Sequence, residues 1–391
     1  MLGMRTGLTR AIRKLVSVPT YARSGEGLHV LLKHSTLRRL TNLIRVEMEF
    51  RMRRVRVRGK PYILVIDPTN VCNLRCPLCP TGRLEAGRRG ELMSLDLFKT
   101  AVDELAPWAY KVNLFNWGES LLNPEVYDMI AHARAQGLST HLSSNLSLPI
   151  SDDQIDQLLD SKLHFLCLSI DGATQEIYEH YRRRGKLDLV LENARRLVKR
   201  RNARGLKYPL IEWQFIPMRH NEHEIEDARA LAAEMGIDRF RCIPVGLPFG
   251  APNLDELREE WFPRGVNDGH TEGGVEISSN EQSRSSCSFL YRYWMVNPDA
   301  KVSPCCVVSG AKYDFGDLGS GSFNDIWNNA KYRSARSQYI HNGNIEVPTV
   351  CDGCDLFKKR TQPGFINVMP ASVSPDGVNE QVPAEPMNVR R

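Results

Sequence analysis

Residues 62–79 read YILVIDPTNVCNLRCPLC, a short apolar run followed by Asp-Pro and then by three closely spaced cysteines. Apolar runs of four to eight residues are typical of strands that are buried on both faces of a parallel sheet. Further runs of this kind occur at 111–116, 138–144, 163–170, 211–217 and 238–245. The cysteines Cys72, Cys76 and Cys79 therefore follow the first strand of a series.

Segments with helical spacing separate these runs. Ser94 and Pro124 stand where helices can begin, and Gly137, Gly205 and Gly236 stand where helices can end. Six strand–helix units in succession require right-handed crossovers and a parallel sheet. The pattern predicts an α/β fold, either an open doubly wound sheet or a curved partial barrel, and periodicity leaves that choice open.

The composition excludes several classes of protein. Of the 391 residues, 42% are hydrophobic and 25% are charged, which excludes disorder throughout and a small disulfide scaffold. No run of 18 apolar residues occurs, so the sequence predicts no membrane-spanning helix. Residues 1–60 carry 15 Lys or Arg against 3 Asp or Glu, whereas the remainder carries 37 against 43. Because the body is mildly acidic, we expect no nucleic-acid partner.

The ten cysteines point to metal or redox chemistry. Arg5, Arg10 and Arg13 interrupt every short apolar stretch at the start, so no signal-peptide core is present and we expect a cytoplasmic, reducing compartment. Clustered thiols in such a compartment more often bind metal than form disulfides. A structural zinc site needs four ligands, whereas a four-iron cluster on three thiolates keeps one iron open to bind something else.

The C-x3-C-x2-C spacing of Cys72, Cys76 and Cys79 directly after a strand resembles the radical S-adenosylmethionine (SAM) superfamily. The resemblance implies a partial (β/α)6 barrel with a [4Fe–4S] cluster on these three thiols, whose open iron binds SAM. It also implies a flavodoxin- or ferredoxin-type electron donor. One electron from the cluster would cleave SAM to a 5′-deoxyadenosyl radical that takes a hydrogen atom from the substrate.

The resemblance extends to the predicted strand ends, where the family contacts SAM. Asn116-Trp-Gly-Glu-Ser120 is similar to the family's Gly-Gly-Glu-Pro motif, with Trp117 and Ser120 departing from it. Ser143-Ser-Asn145 and Ser169-Ile-Asp171 are similar to segments that contact the ribose or the SAM carboxylate. The implied SAM contacts are Leu78, Gly118, Glu119, Ser143, Asn145, Ser169, Asp171 and Arg182.

A second cysteine set, Cys287, Cys305, Cys351 and Cys354, combines two distant thiols with a C-x2-C pair. The spacing fits four ligands and leaves the metal open between zinc and iron. After a radical SAM barrel, the set resembles the SPASM/twitch extension and implies one auxiliary [4Fe–4S] cluster. Ala300 stands where that family usually has glycine. Because four thiolates close the coordination shell, electron transfer is the expected role of this cluster.

The expected reaction is oxidation of a small polar metabolite such as a sugar or aminocyclitol. Three alternatives within the class are modification of a peptide, action on a lipid-linked substrate, and epimerisation with Cys306 as hydrogen-atom donor. The alternative from another class is a zinc-binding scaffold without catalysis.

The sequence predicts five segments along the chain. Residues 1–60 form a basic arm whose helical face Leu37, Leu40, Ile44 and Met48 either packs on the barrel or contacts an anionic membrane. The other segments are a barrel at 61–248, a linker at 249–286, an auxiliary-cluster domain at 287–360 and a disordered tail at 361–391.

Overall fold

The computed structural model describes residues 33–85, 87–264, 286–340 and 343–354. Nine strands in these residues form one sheet, in the order β6-β5-β4-β3-β2-β1-β7-β8-β9. The strands are β1 (Ile63–Ile66), β2 (Lys111–Leu114), β3 (Ser139–Ser144), β4 (Phe165–Ser169), β5 (Leu210–Phe215), β6 (Arg239–Cys242), β7 (Tyr293–Val296), β8 (Lys301–Ser303) and β9 (Gly316–Asp317).

Helices connect and cover these strands. The α-helices are α1 (Leu37–Arg51), α2 (Leu95–Asp103), α3 (Val126–Ala135), α4 (Asp152–Asp160), α5 (Gln175–Tyr181), α6 (Leu187–Ala203), α7 (Ile225–Glu234), α8 (Leu254–Trp261), α9 (Phe289–Arg292), α10 (Phe323–Trp327) and α11 (Ala330–Ser337). Short 3-10 helices span Ser120–Leu122, Glu222–Glu224, Ala311–Tyr313 and Val350–Gly353. Ser94 caps α2 by accepting a hydrogen bond from the Leu97 N–H, as its position in the sequence predicts.

Strands β1 to β6 are parallel to their neighbours, and helices connect them along the chain. A closed barrel would require β6 to pair with β1. In the described residues, the second neighbour of β1 is β7, so the sheet stays open. This architecture confirms the predicted α/β partial barrel, and it brings the carboxyl ends of six parallel strands to one edge.

The two faces of these strands differ, which corrects the prediction of strands that are apolar on both faces. Side chains alternate across a strand, and Leu166, Leu168, Ile211 and Trp213 belong to the hydrophobic core beneath the helices. The positions between them form a polar inner face, whose members include Asn113, His141, Ser143, Cys167, Ser169, Glu212, Gln214 and Arg241. On this face the Ser143 and Ser169 hydroxyls lie 3.2 Å apart. The barrel interior is therefore suited to a polar ligand.

Helix α1 lies at the end of the sheet where the strands begin. The buried Arg39 guanidinium donates hydrogen bonds to the carbonyl oxygens of Ala106, Gln136 and Gly137 at 2.9–3.1 Å. These carbonyls follow α2 and α3, so the cation lies at the negative ends of two helix dipoles. Arg39 thus fixes the arm helix to the base of the barrel.

The face of α1 that packs is not the predicted one. Leu43 and Val46 enter the hydrophobic core, whereas Leu37, Ile44 and Met48 are 80%, 43% and 55% exposed. The polar side chains of α1 that are buried account for the difference, because their hydrogen bonds to the barrel fix the rotation of the helix. Spacing of apolar residues alone did not reveal these anchors.

The region after residue 286 extends the sheet, although it was predicted to be loop-rich. Strand β7 pairs in parallel with β1, and β8 and β9 follow as antiparallel strands. Helix α10 covers them through an aromatic group in which the ring centres of Trp294, Phe323 and Trp327 are 4.8–6.0 Å apart. The auxiliary cysteines are thus built onto the same sheet as the barrel.

The structure describes part of the predicted linker 249–286 and none of the predicted disordered tail 361–391. Helix α8 lies inside the predicted linker 249–286, and its Trp261 is buried. Residues 265–285 of that linker and the predicted disordered tail 361–391 lie outside the described residues. In the part of the chain that the structure describes, no helix has the length and apolar character needed to cross a bilayer.

Candidate SAM and iron–sulfur sites

The first three cysteines lie on the loop that leaves the carboxyl end of β1. Cys72, Cys76 and Cys79 belong to one small apolar cluster that is separate from the main core. The Cys79 N–H donates to the Cys76 carbonyl at 3.1 Å, which folds the loop back on itself. All ten cysteines of the chain are free thiols. The structure therefore brings the three predicted cysteines together, with none of them in a disulfide.

Hydrogen-bond donors point at two of these sulfurs. The Leu74 N–H and the Asn145 side-chain amide lie 3.5 and 3.9 Å from the Cys72 sulfur. The Arg182 guanidinium donates to the Cys76 sulfur at 3.9 Å. Such donors stabilise sulfur when it carries negative charge, and they are typical partners of cluster ligands.

Burial opposes the ionisation of these thiols when no metal is bound. It raises the pKa of Cys72 to about 12 and also raises the pKa of Cys76. A bound metal removes the thiol proton outright, so apolar surroundings with N–H donors suit a metal–thiolate group. The donor set therefore fits the iron–sulfur cluster predicted for these residues.

Among the described residues, no three His, Cys, Asp or Glu side chains converge tightly enough to hold a single metal ion. A four-iron cluster spreads its thiolate ligands over separate iron atoms. The wider spacing of these cysteines therefore suits such a cluster better than a single ion.

The turn after β2 packs directly on the segment that leads to Cys72. A Cβ atom on Gly118 would lie 1.9 Å from the Thr69 carbonyl oxygen, so only glycine fits there. The Glu119 N–H donates to the Val71 carbonyl at 2.8 Å, and the Glu119 carboxylate accepts from the Asn145 N–H at 2.7 Å. Gly118, Glu119 and Asn145, which were predicted from separate motifs, are thus joined next to the cysteine loop.

The remaining predicted SAM contacts form two further groups. Ser143 and Ser169 lie side by side on the inner face of the barrel. The Arg182 guanidinium donates to the buried Asp171 carboxylate at 2.6 Å, beside Cys76. Burial raises the pKa of Asp171, and the Arg182 charge opposes that rise. Leu78 is buried in the apolar cluster of the cysteines.

Several residues near this site were not predicted. The buried Asp67 carboxylate accepts from the Trp117 N–H at 3.1 Å, and burial raises the pKa of Asp67 to about 7. Tyr181, Met218 and Trp261 join the apolar cluster around Cys72, Cys76 and Cys79. The Asp-Pro after the first apolar run signals a polar group at the strand end, whereas Met218 and Trp261 carry no local signal because only the fold brings them close.

The second cysteine set also converges. Burial raises the pKa of Cys351, and the neighbouring thiols of Cys287, Cys305 and Cys354 add to the rise. Cys306 lies beside Cys287, and burial raises its pKa to about 11. The structure thus collects all four predicted auxiliary ligands in one place, with Cys306 next to them.

Arg88 joins the loop that follows the first cysteines to the auxiliary region. Its buried guanidinium pairs with Asp299 at 2.8 Å and with Asp314, and it donates to the Ser309 carbonyl at 2.8 Å. Asp299 and Ser309 flank the strand and loop that carry Cys305. The two cysteine sites therefore share a direct polar connection.

Both cysteine sites lie in regions that match known protein families. Residues 66–232 match the model of the radical SAM superfamily, and residues 287–355 match that of the SPASM iron–sulfur cluster-binding domain. The PqqA peptide cyclase of Rhodopseudomonas palustris is 29% identical over 318 residues, covering 77% of this chain and 81% of the relative. The AdoMet-dependent heme synthase of Methanosarcina barkeri is 23% identical over 329 residues, covering 75% and 91%.

A solved structure supports the same fold. Streptococcus suis SuiB bound to precursor peptide SuiA aligns with a TM-score of 0.54 at 16% identity, covering 82% of this chain and 74% of SuiB. At this identity the similarity shows the fold alone. The cysteine loop after β1, the second cysteine set and the two family matches lead to one conclusion: this chain belongs to the radical SAM superfamily as an enzyme with a SPASM domain, and its cofactors are SAM and [4Fe–4S] clusters.

Proposed function

We propose that this radical SAM enzyme modifies a peptide by an oxidative reaction of the cyclase type. The observation that carries the proposal is the similarity to PqqA peptide cyclases over most of both chains. The peptide complex of the structurally similar SuiB agrees with it. These relatives favour the peptide alternative over the sugar or aminocyclitol substrate expected from the sequence.

We assign the residues of the site as follows. Cys72, Cys76 and Cys79 hold the cluster that binds SAM, and Cys287, Cys305, Cys351 and Cys354 hold the auxiliary cluster. The SAM contacts are Leu78, Gly118, Glu119, Ser143, Asn145, Ser169, Asp171 and Arg182. When bound, the first cluster supplies the electron that cleaves SAM, and the auxiliary cluster supplies an electron acceptor.

The polar inner face of the barrel supports a peptide substrate. Arg241 donates to Glu212 at 2.7 Å and to Gln214 at 3.2 Å, so three groups that can donate or accept hydrogen bonds stand in a row. Peptide N–H and carbonyl groups must find such partners when they leave water. We propose that this row orients the substrate below the SAM site.

The proposed reaction balances as a loss of two hydrogens. Ring closure joins two substrate atoms, each of which gives up one hydrogen. One would leave as a hydrogen atom, to be taken up by the 5′-deoxyadenosyl group of cleaved SAM. The other would leave as a proton to a base, and its electron would go to the auxiliary cluster that Cys287, Cys305, Cys351 and Cys354 would hold.

A fractionation experiment tests the substrate class. Reconstituted enzyme, SAM and dithionite are incubated with either the peptide fraction or the peptide-free small-molecule fraction of a cell extract. We expect 5′-deoxyadenosine release to rise with the peptide fraction, together with a peptide product that has lost two hydrogens by mass spectrometry. A Cys72→Ala variant is the control without radical formation. Stimulation by the peptide-free fraction alone would refute the proposal.

Epimerisation with Cys306 as hydrogen-atom donor is a different outcome of the same chemistry. The half-buried Cys306 thiol lies beside the auxiliary cysteines. Turnover in heavy water separates the two outcomes, because a thiol donor would place deuterium in the product. A product free of deuterium and lighter by two hydrogens supports oxidation and excludes this role for Cys306.

The arm helix favours one further partner, an anionic membrane surface. Leu37, Ile44 and Met48 of α1 are exposed, as is Met52 directly after the helix. The exposed basic residues of α1 are Arg38, Arg45 and Arg51. We propose that these residues contact acidic lipid headgroups, which would suit a lipid-linked substrate. The intact protein should sediment with phosphatidylglycerol vesicles and not with phosphatidylcholine vesicles, and Ile44→Asp with Met48→Asp should abolish this. Equal sedimentation of both proteins would contradict the proposal.

A flavodoxin- or ferredoxin-type protein remains the proposed physiological electron donor. Substitution of dithionite by reduced flavodoxin in the peptide assay tests it. Failure of the flavodoxin to support 5′-deoxyadenosine release would contradict this choice of donor.

A further inference from the structure

Arg336, on helix α11, is a fully buried cation. Its side chain is 0% exposed, and its guanidinium donates to the carbonyl oxygens of Leu290 and Trp327 at 3.0 and 3.1 Å. It also donates to the Asn328 side-chain oxygen at 3.1 Å. All of these acceptors are neutral, so the hydrogen bonds orient the guanidinium without cancelling its charge.

The charge of Arg336 has no close counter-ion in the residues that the structure describes. No carboxylate there lies within 4 Å of it. The Glu49 carboxylate acts on the charge only from a greater distance, and the Arg336 Nη2 atom is buried without a hydrogen-bond partner. Burial lowers its pKa to about 10, which still leaves the side chain protonated at neutral pH. Burying an unpaired charge costs a large amount of free energy, so buried charges are normally paired with an opposite charge.

Aromatic rings separate this cation from the auxiliary cysteines. The guanidinium carbon lies 5.4 Å from the centre of the Tyr291 ring and 5.1 Å from that of Tyr332. Leu290, whose carbonyl accepts from Arg336, donates its own N–H to the Cys287 carbonyl at 3.3 Å. Tyr332 is also close enough to Cys305 and Cys351 to sense their charge. Arg336 is therefore about one ring layer away from the auxiliary site.

The charge of a bound cluster supplies the missing compensation. A [4Fe–4S] cluster on four thiolates is an anion, and it becomes one unit more negative when it takes up an electron. We propose that Arg336 is the counter-cation of the auxiliary cluster and that it raises the reduction potential of this cluster. The proposal deepens the proposed function, because a higher potential makes the auxiliary cluster a better acceptor for the electron of the substrate.

The test is the reduction potential of the auxiliary cluster, followed by electron paramagnetic resonance. The full-length chain carries Cys72→Ala, Cys76→Ala and Cys79→Ala, so that only the auxiliary cluster is loaded. We expect Arg336→Gln to lower the equilibrium constant for reduction on the order of tenfold, a shift of about 59 mV to more negative potential. Arg336→Lys, which keeps the charge, should stay near the unsubstituted potential.

Two further variants separate charge from packing. Asn328→Asp keeps the shape of the Asn328 side chain and places a carboxylate 3.1 Å from the guanidinium, so it should shift the potential in the same direction as Arg336→Gln. If Arg336→Gln fails to load a cluster, the reduction potential of Asn328→Asp tests the proposal on its own. Arg333→Gln removes a cation from the same helix that is already paired with Glu346, and it should leave the potential unchanged.

An unchanged potential in Asn328→Asp, or equal shifts in Arg336→Gln and Arg336→Lys, would overturn the proposal. The measurement uses neither SAM nor substrate. A failed peptide assay therefore leaves this inference standing, and a failed potential shift leaves the peptide proposal standing.

Discussion

Gly118 lies where two backbone segments of the SAM site come closest. A Cβ atom at this position would also lie 2.8 Å from the Val71 carbonyl oxygen, in addition to its overlap with Thr69. Both contacts are with backbone, which cannot move aside as a flexible side chain can. The segment that would have to shift leads directly into Cys72.

Gly118→Ala should therefore displace the cysteine loop. We expect release of 5′-deoxyadenosine to fall on the order of 100-fold, the cost of misplacing reacting groups by about 1 Å. Gly246→Ala is the matched control, because no atom lies within 4 Å of its added Cβ, and it should keep normal activity. Normal turnover by Gly118→Ala would show that the close approach of the two segments is not needed for SAM cleavage.

At this scale the sequence predicted residues that belong to compact motifs. Cys72, Cys76 and Cys79 were predicted from their spacing within eight residues. Glu119 was predicted from its resemblance to a four-residue family motif, although its partners Val71 and Asn145 are distant in sequence. Trp261 was missed because it comes from a helix almost 200 residues away from the cysteines. Such contacts depend on the tertiary fold and leave no local pattern.

The turn between β7 and β8 contains a backbone conformation that suits glycine. Ala300 has a φ of +62°, and its N–H donates to the Asn297 carbonyl at 3.0 Å. Hairpin turns of this length commonly place glycine at the left-handed position. The alanine that departs from the family pattern therefore also departs from the backbone preference.

Ala300→Gly should stabilise the protein. Relief of the left-handed conformation is worth roughly 1–2 kcal/mol, and the extra freedom of glycine in the unfolded chain cancels part of it, for a net gain of about 0.5–1 kcal/mol. Urea unfolding followed by tryptophan fluorescence measures the change. Ala311→Gly, in a 3-10 helix without positive φ, should destabilise instead. A lower unfolding midpoint for Ala300→Gly would contradict this account.

The sequence predicted the positions of the barrel strands better than it predicted which faces of those strands are apolar. The six barrel strands coincide with the apolar runs to within one residue, since only β5 begins earlier, at Leu210, yet their inner sides are polar. The signal was present in β5, where Ile211-Glu-Trp-Gln-Phe215 alternates strictly, but large apolar residues dominate the run and hide the alternation. The parallel pairing of β7 with β1 had no signal, since register between distant strands is set by the assembled sheet.

Across the whole molecule, one buried ion pair ties the arm to the auxiliary region. Arg292 of α9 donates two hydrogen bonds to Glu47 of α1 at 2.6 and 2.8 Å, and the Tyr62 hydroxyl donates to the same carboxylate at 2.8 Å. Tyr62 directly precedes β1. The arm helix, the start of β1 and the distant helix α9 therefore meet at Glu47.

Glu47→Gln keeps one oxygen that can accept from Tyr62, but it removes the charge and replaces the oxygen that accepts from Arg292 Nη2 by a donor. Because it leaves Arg292 buried without its counter-ion, we expect a loss of about 3–5 kcal/mol in the free energy of unfolding. The double variant with Arg292→Met should lose less than the sum of the two single changes. Asp255→Asn in the exposed pair with Arg258 is the control, with a change of about 0–1 kcal/mol. Additive losses in the double variant would show that the two groups do not interact.

The position of β1 between β2 and β7 has a consequence for any attempt to divide the protein. Removal of everything after residue 286 would strip the backbone partners from one side of β1 along its whole length. Bare strand edges invite pairing with other chains, so a truncated barrel is expected to aggregate. The radical SAM barrel and the SPASM region are in this sense one folding unit, and neither is expected to fold correctly without the other.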